Sequence, residues 1–156
     1  MSRALIAALL ALLATPAFAE NPVAIGLTPF TFADTSGEVR DQAKLHSDRL
    51  ARMGEVLEKE LASNDQFAVA KFSCGNDPCP ADELLPRARD SGKRYVVVGA
   101  VQKTSTLVLW ATVDVLDAAT GKTVLHRWIT FRGDTDEAWD RTARFIGKAI
   151  NTGFAG

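Results

Sequence analysis

The segment from Tyr95 to Phe131 constrains the fold of this chain most. It contains three strand-like runs, 95–104 (YVVVGAVQKT), 107–117 (LVLWATVDVLD) and 123–131 (TVLHRWITF), joined by a few residues each. Connections this short join antiparallel neighbours, because a parallel pair needs a crossover of about a dozen residues. The first run is almost continuously apolar, which is typical of a central strand buried on both faces. The segment therefore predicts an antiparallel meander.

The rest of the chain supplies helices and two further strands. Residues 23–30 (VAIGLTPF) and 66–72 (QFAVAKF) are predicted to be strands, and residues 31–38 a polar loop. Apolar residues recur at helical spacing over about 41–62 and 134–154, and Pro80 and Gly92 bracket a shorter helix. The element order is then β-α-β-α-β-β-β-α. It predicts an α/β sandwich with a five-stranded mixed sheet and three helices.

The N-terminal residues are typical of a bacterial secretory signal peptide. Arg3 precedes an apolar run over residues 4–14, and residues 17–19 (AFA) form an A-x-A cleavage site. The run is too short to cross a bilayer as a helix, which needs about 20 apolar residues. We therefore expect residues 1–19 to be cleaved, leaving residues 20–156 as a single periplasmic domain.

The net charge and the hydropathy give no reason to expect a nucleic-acid partner or a further membrane-spanning segment. The formal net charge is −1, so the overall charge gives no reason to expect a nucleic-acid partner. Beyond the N-terminal run, no stretch is apolar enough to be a membrane span.

The two cysteines, Cys74 and Cys79, lie five positions apart in the stretch KFSCGNDPCP. A zinc site needs four ligands, and His46 and His126 fall on other predicted elements without finger-like spacing. A thioredoxin-like couple uses C-x-x-C at a helix start, and here only the helix start after Cys79 fits. An oxidising compartment favours a structural disulfide that fixes this loop.

The sequence shows no motif of catalysis or of cofactor binding. It contains no G-x-S-x-G string and no Gly-rich phosphate loop. The acidic residues at 34–41 and 134–137 do not match a calcium-binding loop, and Asp134 with Glu137 fits a helix cap. His46 is interpreted as a surface or boundary residue of its helix. We predict no catalytic residue, no metal and no cofactor.

The faces of the predicted strands carry the most specific functional signal. Trp110 lies on the more polar face of its strand, and Trp128 shares a face with His126 on the next. If these strands pair, the two indoles lie close together, as in aromatic anchors of interfaces. The alternative is that one of the long helices covers them. Gln102 and Lys103 are added to this candidate partner-binding surface because they end a strand.

Several strings resemble a family of small exported bacterial proteins of unknown function. They are VAIGLTPFTFADTSGE from Val23, RLARM from Arg49, the cysteine loop, YVVVGAVQKTSTLVLWATVDVLDAATGK from Tyr95 and RGDTDEAWDRTARFIGKAI from Arg132. The opening strand and the meander are also similar to the N-terminal α/β domain of TolB and to domains of curli-secretion lipoproteins and of lipoprotein activators of penicillin-binding proteins. The resemblance implies a domain that binds other envelope proteins. The chain departs from those relatives in lacking a lipobox cysteine and a propeller.

These observations favour an exported, non-catalytic protein that binds an unidentified envelope protein. A periplasmic small-molecule or metal-ion binding protein serving an oxidation system is the first alternative. A thiol-redox or hydrolytic enzyme is the second.

Overall fold

The computed structural model describes residues 21–75 and 78–154, so the predicted signal peptide lies outside the described residues. Nine helices and strands are formed in this part of the chain. They are β1 (Val23–Leu27), β2 (Thr31–Asp34), α1 (Ala43–Ala62), β3 (Phe67–Lys71), α2 (Ala81–Asp90), β4 (Tyr95–Lys103), β5 (Val108–Asp117), β6 (Thr123–Arg132) and α3 (Asp136–Gly153). The α/β class and the three helices are confirmed.

The strands form one mixed sheet in the order β3-β1-β4-β5-β6. β1 runs parallel to β3 and β4, while β4, β5 and β6 are successive antiparallel neighbours. The predicted meander is therefore confirmed, and β4 occupies the central position that its apolar run indicated.

Within the described residues the sheet has six strands, and the predicted count of five was wrong. β2 lies within the predicted polar loop and pairs in parallel with the second half of β4, from Ala100 to Lys103. It continues the line of β1 after a break at Thr28 and Pro29, where the Thr28 amide still donates to the carbonyl of Val97. Pro29 has no N–H to donate, so the chain leaves the ladder there. The short TFAD sequence of β2 has no strand pattern of its own.

Phe30, at this break, explains the single glycine inside β4. A Cβ atom on Gly99 would lie 2.4 Å from the ring of Phe30, a distance that side chains do not tolerate. Glycine in a strand often marks such a close approach.

Helices cover both faces of the sheet unequally. α1 and α3 share one face, where the main core collects Met53, Leu57, Val97, Leu109, Val113, Trp139 and Ile146. α2 lies on the other face over a smaller cluster of Phe72, Cys74, Leu84, Ala88, Val96 and Ala118. Val96 and Val97 are adjacent on β4 and enter different clusters, as alternation along a strand requires.

The cysteines form the predicted disulfide. Cys74 and Cys79 are bonded, with their Cα atoms 5.3 Å apart, in the connection between β3 and α2. Cys74 is buried in the cluster beneath α2, so the bond fastens the start of that helix to the sheet. Gly92 has a positive φ just after α2, as expected of the residue that ends a helix.

Among the described helices, none combines the length and the apolarity that a membrane crossing requires.

Candidate functional site

α2 covers only one end of its face of the sheet, and the remainder carries the residues predicted from the sequence to bind a partner, except Lys103. β5 alternates strictly: Leu109, Ala111, Val113 and Val115 are buried in the main core, and the residues between them point to the other side. We call the part of that other side formed by Gln102, Trp110, Thr112, Asp114, His126 and Trp128 the open face. No described helix lies over the open face.

Two indoles form the apolar centre of the open face. Trp128 lies opposite Thr112 in the β5–β6 ladder, and Trp110 lies opposite Thr130. The rings therefore meet diagonally, with centroids 5.6 Å apart and planes tilted by 56°. Trp128 is 68% exposed, so the alternative that a helix covers it does not hold. Both long helices lie on the opposite face.

His126 and Asp114 form a polar pair beside the indoles. They are directly opposed across β5 and β6, and the imidazole Nδ1 lies 2.7 Å from Asp114 Oδ1. The contact accounts for the orientation of the imidazole ring. It places an exposed hydrogen-bonding group at the margin of the aromatic pair.

Gln102 joins the open face and Lys103 does not. Gln102 is opposite Trp110 in the ladder, and its amide donates to Thr35 Oγ1 at 2.9 Å. Lys103 is 1% exposed and points to the helix-covered side. Including both residues in one surface was wrong, because consecutive strand residues face opposite sides of a sheet.

Lys103 belongs instead to a buried ionic cluster centred on Asp134. Its ammonium lies 2.8 Å from Glu38 Oε2 and 3.0 Å from Asp134 Oδ2. The carboxylate of Asp134 also lies 2.8 Å from His46 Nε2 and accepts hydrogen bonds from Arg49 Nη1 at 2.7 Å and Trp139 Nε1 at 3.1 Å. The cluster therefore ties together the segment before α1, the end of β4 and the segment before α3.

Two sequence interpretations are corrected by this cluster. Thr135 caps α3, since its side chain accepts from the Ala138 amide, and Asp134 is not the cap. His46 is buried, with its ring centroid 4.4 Å from that of Phe32, and is not a surface residue.

The pKa values of the central charges reflect this arrangement. Burial acts to raise the pKa of Asp134, but the hydrogen bonds from His46, Lys103 and Trp139 outweigh it and hold the pKa below its ordinary value. Burial acts to lower the pKa of Lys103, and its bonds to Glu38 and Asp134 raise it overall. Both groups are therefore stabilised in their charged forms.

Two clefts lie apart from the open face. One of about 400 Å³ adjoins the ionic cluster and is lined by Glu38, Val39, Arg40, Gln42, Lys103, Thr106 and Asp134. A more apolar groove of about 520 Å³ lies at the carboxyl ends of β1 and β3 beside α1. Its lining includes Leu27, Phe30, Leu50, Gly54 and Phe72.

A family model described as a protein of unknown function, DUF3280 (DUF2380), matches residues 23–150. The chain belongs to the DUF3280 family. The matched region runs from β1 into α3 and includes the open face, the ionic cluster and the disulfide. The resemblance to a family of unknown function is thereby confirmed.

Solved structures share the fold of this DUF3280 chain at low identity. PelC from Paraburkholderia phytofirmans, solved as a dodecamer, has 19% identity and a TM-score of 0.55, over 86% of this chain and 89% of PelC. TolB from Acinetobacter baumannii has 16% identity and a TM-score of 0.58, over 88% of this chain but 29% of TolB. XCC0632 from Xanthomonas campestris, a DUF330 protein, has 11% identity and a TM-score of 0.52, over 89% and 91% of the two chains. No curated protein sequence matches significantly.

The ionic cluster of this DUF3280 domain was missed at the sequence level. Its members are distant in sequence, with His46 and Asp134 separated by 88 positions. The sequence offers one indication of this cluster, which is Lys103. Alternation along its strand directs this lysine to the core side. A charge at such a position requires a buried partner.

Proposed function

We propose that this protein is a non-catalytic accessory protein of the cell envelope that binds another envelope protein through the open face. The observation that carries the proposal is Trp128, a large aromatic side chain held against Trp110 while mostly exposed. Exposing an indole has a cost that burial against a partner removes, and tryptophan is enriched among the residues that dominate binding energy.

The composition of the open face also supports a protein partner. The indoles are flanked by Gln102 and by the Asp114–His126 pair, which offer hydrogen bonds at the margin of an apolar centre. An apolar centre with a polar rim is the usual anatomy of a protein–protein interface.

The proposed location outside the cytoplasm depends on the N-terminal sequence. The signal-like residues 1–19 favour export, and the Cys74–Cys79 disulfide is of the kind that persists in oxidising compartments. Fractionation of cells that produce the full chain, with mass measurement of the purified protein, tests cleavage after Ala19.

Cross-linking in intact cells, followed by mass spectrometry of the captured proteins, tests the proposed function. Trp128→Ala is expected to abolish capture of a specific partner while leaving the circular dichroism spectrum unchanged. Leu45→Ala is the matched control, since Leu45 is also an exposed apolar side chain but lies on α1. Equal capture by both variants would contradict the proposal.

The groove beside α1 favours a second candidate, the binding of a small apolar ligand. Its largely apolar lining lies at the carboxyl ends of parallel strands, where α/β folds often hold ligands. A medium-chain fatty acid is expected to raise the melting temperature of the wild-type protein.

Gly54→Leu is expected to remove this rise, because nothing beyond the neighbouring atoms of α1 itself lies within 4 Å of where its Cβ would stand and the side chain would enter the groove. Ala62→Leu, at the exposed end of α1, is the control. A ligand-induced rise that persists in Gly54→Leu would exclude this groove.

A further inference from the structure

The outer edge of β6 is a long strand edge that pairs with no strand in the described part of the chain. β6 spans ten residues and is hydrogen-bonded to β5 along its inner side. An edge of this kind is a template for a further strand, and proline or charged side chains on it oppose such pairing. β6 contains no proline, and its charged side chains are those of Arg127 and Arg132.

Two exposed apolar side chains lie on this edge strand, and a third lies on the helix that packs over it. Val124 and Trp128 lie on β6 and are 47% and 68% exposed. Phe145 is 55% exposed on α3, the helix that packs over β6. It lies away from the side of α3 that contacts α1 through Asp140 and Asn151, because five residues from Asp140 correspond to about 140° of helix rotation.

The phase of the β5–β6 ladder shows which backbone groups point outwards. The Gly133 amide donates to the Leu107 carbonyl, so this pair is hydrogen-bonded. Hydrogen-bonded pairs alternate along an antiparallel ladder, which leaves the amides and carbonyls of His126, Trp128 and Thr130 facing outwards. The His126 carbonyl agrees with this assignment, since it accepts a hydrogen bond at 2.8 Å from the side chain of Arg127.

We propose that the outer edge of β6 pairs with β6 of a second copy of this chain, antiparallel, about a two-fold axis at Trp128. This register brings outward-facing groups together, with Trp128 opposite its own equivalent and His126 opposite Thr130. It also sets Arg127 of each copy opposite Ile129 of the other, so the two Arg127 side chains do not directly oppose one another.

Other axes are less compatible with the charges of the strand. An axis at Arg127 opposes two guanidinium groups directly, and an axis at Ile129 lies nearer the end of β6 and pairs fewer of its residues. Like charges directly opposite one another destabilise a strand pair. Axes nearer either end of β6 pair fewer residues.

The pairing makes one continuous sheet from the two copies. The Trp128 side chains become neighbours on the same face, each still in contact with Trp110 of its own chain. The Thr130 amide of one copy donates to the His126 carbonyl of the other and replaces the Arg127 side chain there. This interface uses the backbone edge of β6, whereas the proposed binding of an envelope protein uses the side chains of the open face; Trp128 belongs to both.

The experiment is sedimentation equilibrium of the purified protein from micromolar to millimolar concentration. The wild-type protein is expected to dimerise. Thr130→Pro is expected to weaken the dimer about thirtyfold, because it removes two symmetry-related hydrogen bonds across the interface. It leaves the β5–β6 ladder intact, since the Thr130 amide faces outwards. Thr130→Val keeps the amide and is expected to dimerise as the wild type does.

A cross-linking experiment tests the register, even if Thr130→Pro does not fold. A His126→Cys chain mixed with a Thr130→Cys chain is expected to form a mixed disulfide, since opposed Cα atoms lie about 5.5 Å apart. Thr130→Cys alone is expected to form none, because its two copies stand about 14 Å apart along the strands. A wild-type protein that stays monomeric, a Thr130→Pro variant that dimerises normally, or absence of the mixed disulfide would overturn the proposal.

Discussion

Asp134 lies at the centre of the buried ionic cluster. Its carboxylate lies within hydrogen-bond distance of His46, Arg49, Lys103 and Trp139, and its side chain is 9% exposed. Removing one partner of a buried charge group is costly because the remaining charges keep their desolvation without compensation. A neutral amide of the same shape isolates that effect from packing.

We expect Asp134→Asn to lower the free energy of unfolding by about 3–5 kcal/mol at neutral pH. Denaturation by urea measures the change. Asp136→Asn is the matched control, since Asp136 accepts from the same Arg49 but its side chain is 62% exposed, and a loss below about 1 kcal/mol is expected. Equal losses in the two variants would mean that the cluster is not energetically central.

The same residue predicts how stability changes with acid. The pKa of Asp134 is lower in the folded protein than its ordinary value, so the unfolded chain takes up the proton first as pH falls. The stabilisation is therefore present near neutrality and is lost as pH falls below the ordinary pKa of an aspartate and through the lowered pKa of folded Asp134. The slope of unfolding free energy against pH is expected to be shallower in Asp134→Asn. Asp140 keeps part of the slope, because the hydrogen bond from Arg52 lowers its pKa as well.

Substitution by alanine is expected to change the stability of the protein in opposite directions at two glycines, Gly99 and Gly54. At Gly99 in β4 the Phe30 ring occupies the space of a Cβ, so Gly99→Ala should destabilise the protein by about 1–3 kcal/mol. At Gly54 in α1 nothing beyond the neighbouring atoms of the helix itself lies within 4 Å of that position, and alanine should stabilise the helix by about 0.5–1 kcal/mol. Thermal unfolding of both variants, compared at equal pH, measures the difference. Destabilisation of equal size at both positions would contradict the assigned contact.

The elements differ in how far the sequence predicted them. Long, periodic segments such as β5, α1 and α3 were recognisable because burial on one face leaves a repeating apolar pattern. β2 was not, because its four residues carry no such pattern and are a strand only through pairing with β4. A position at the end of β4 does not put Lys103 on the open face, because alternation along the strand directs its side chain to the core side. The Asp134 cluster joins residues that only the completed topology brings together.

At the scale of the whole molecule, the two faces of the sheet are covered by hydrophobic cores of different size. The core between the sheet and the α1–α3 pair is large, whereas α2 rests on a small cluster fastened by the Cys74–Cys79 bond. Regions with few buried apolar contacts open at lower free energy than the rest of a protein. α2 is therefore expected to be the least protected of the three helices.

Reduction of the disulfide is expected to accelerate hydrogen exchange in α2 without changing α1. On the loop-closure model the bond contributes about 2 kcal/mol, which corresponds to about thirtyfold in the exchange rate of amides such as Leu84 and Ala88. Hydrogen exchange with and without a reductant, followed by mass spectrometry, measures both helices at once. If the amides of Met53 and Leu57 accelerate as much, the bond stabilises the whole domain and not α2 alone.

The Asp134 cluster also has a consequence for the order in which the protein folds. His46, Arg49 and Lys103 all precede β5, while Asp134 comes after β6, 85 positions beyond Arg49. A partly folded chain without α3 in place would enclose three cationic or polar groups without their shared acceptor, which is strongly unfavourable. Pairing over such long separations is also slow. We therefore expect the side chains of His46, Arg49 and Lys103 to stay accessible to water until the segment before α3 arrives, so that docking of α3 commits the protein to its native state.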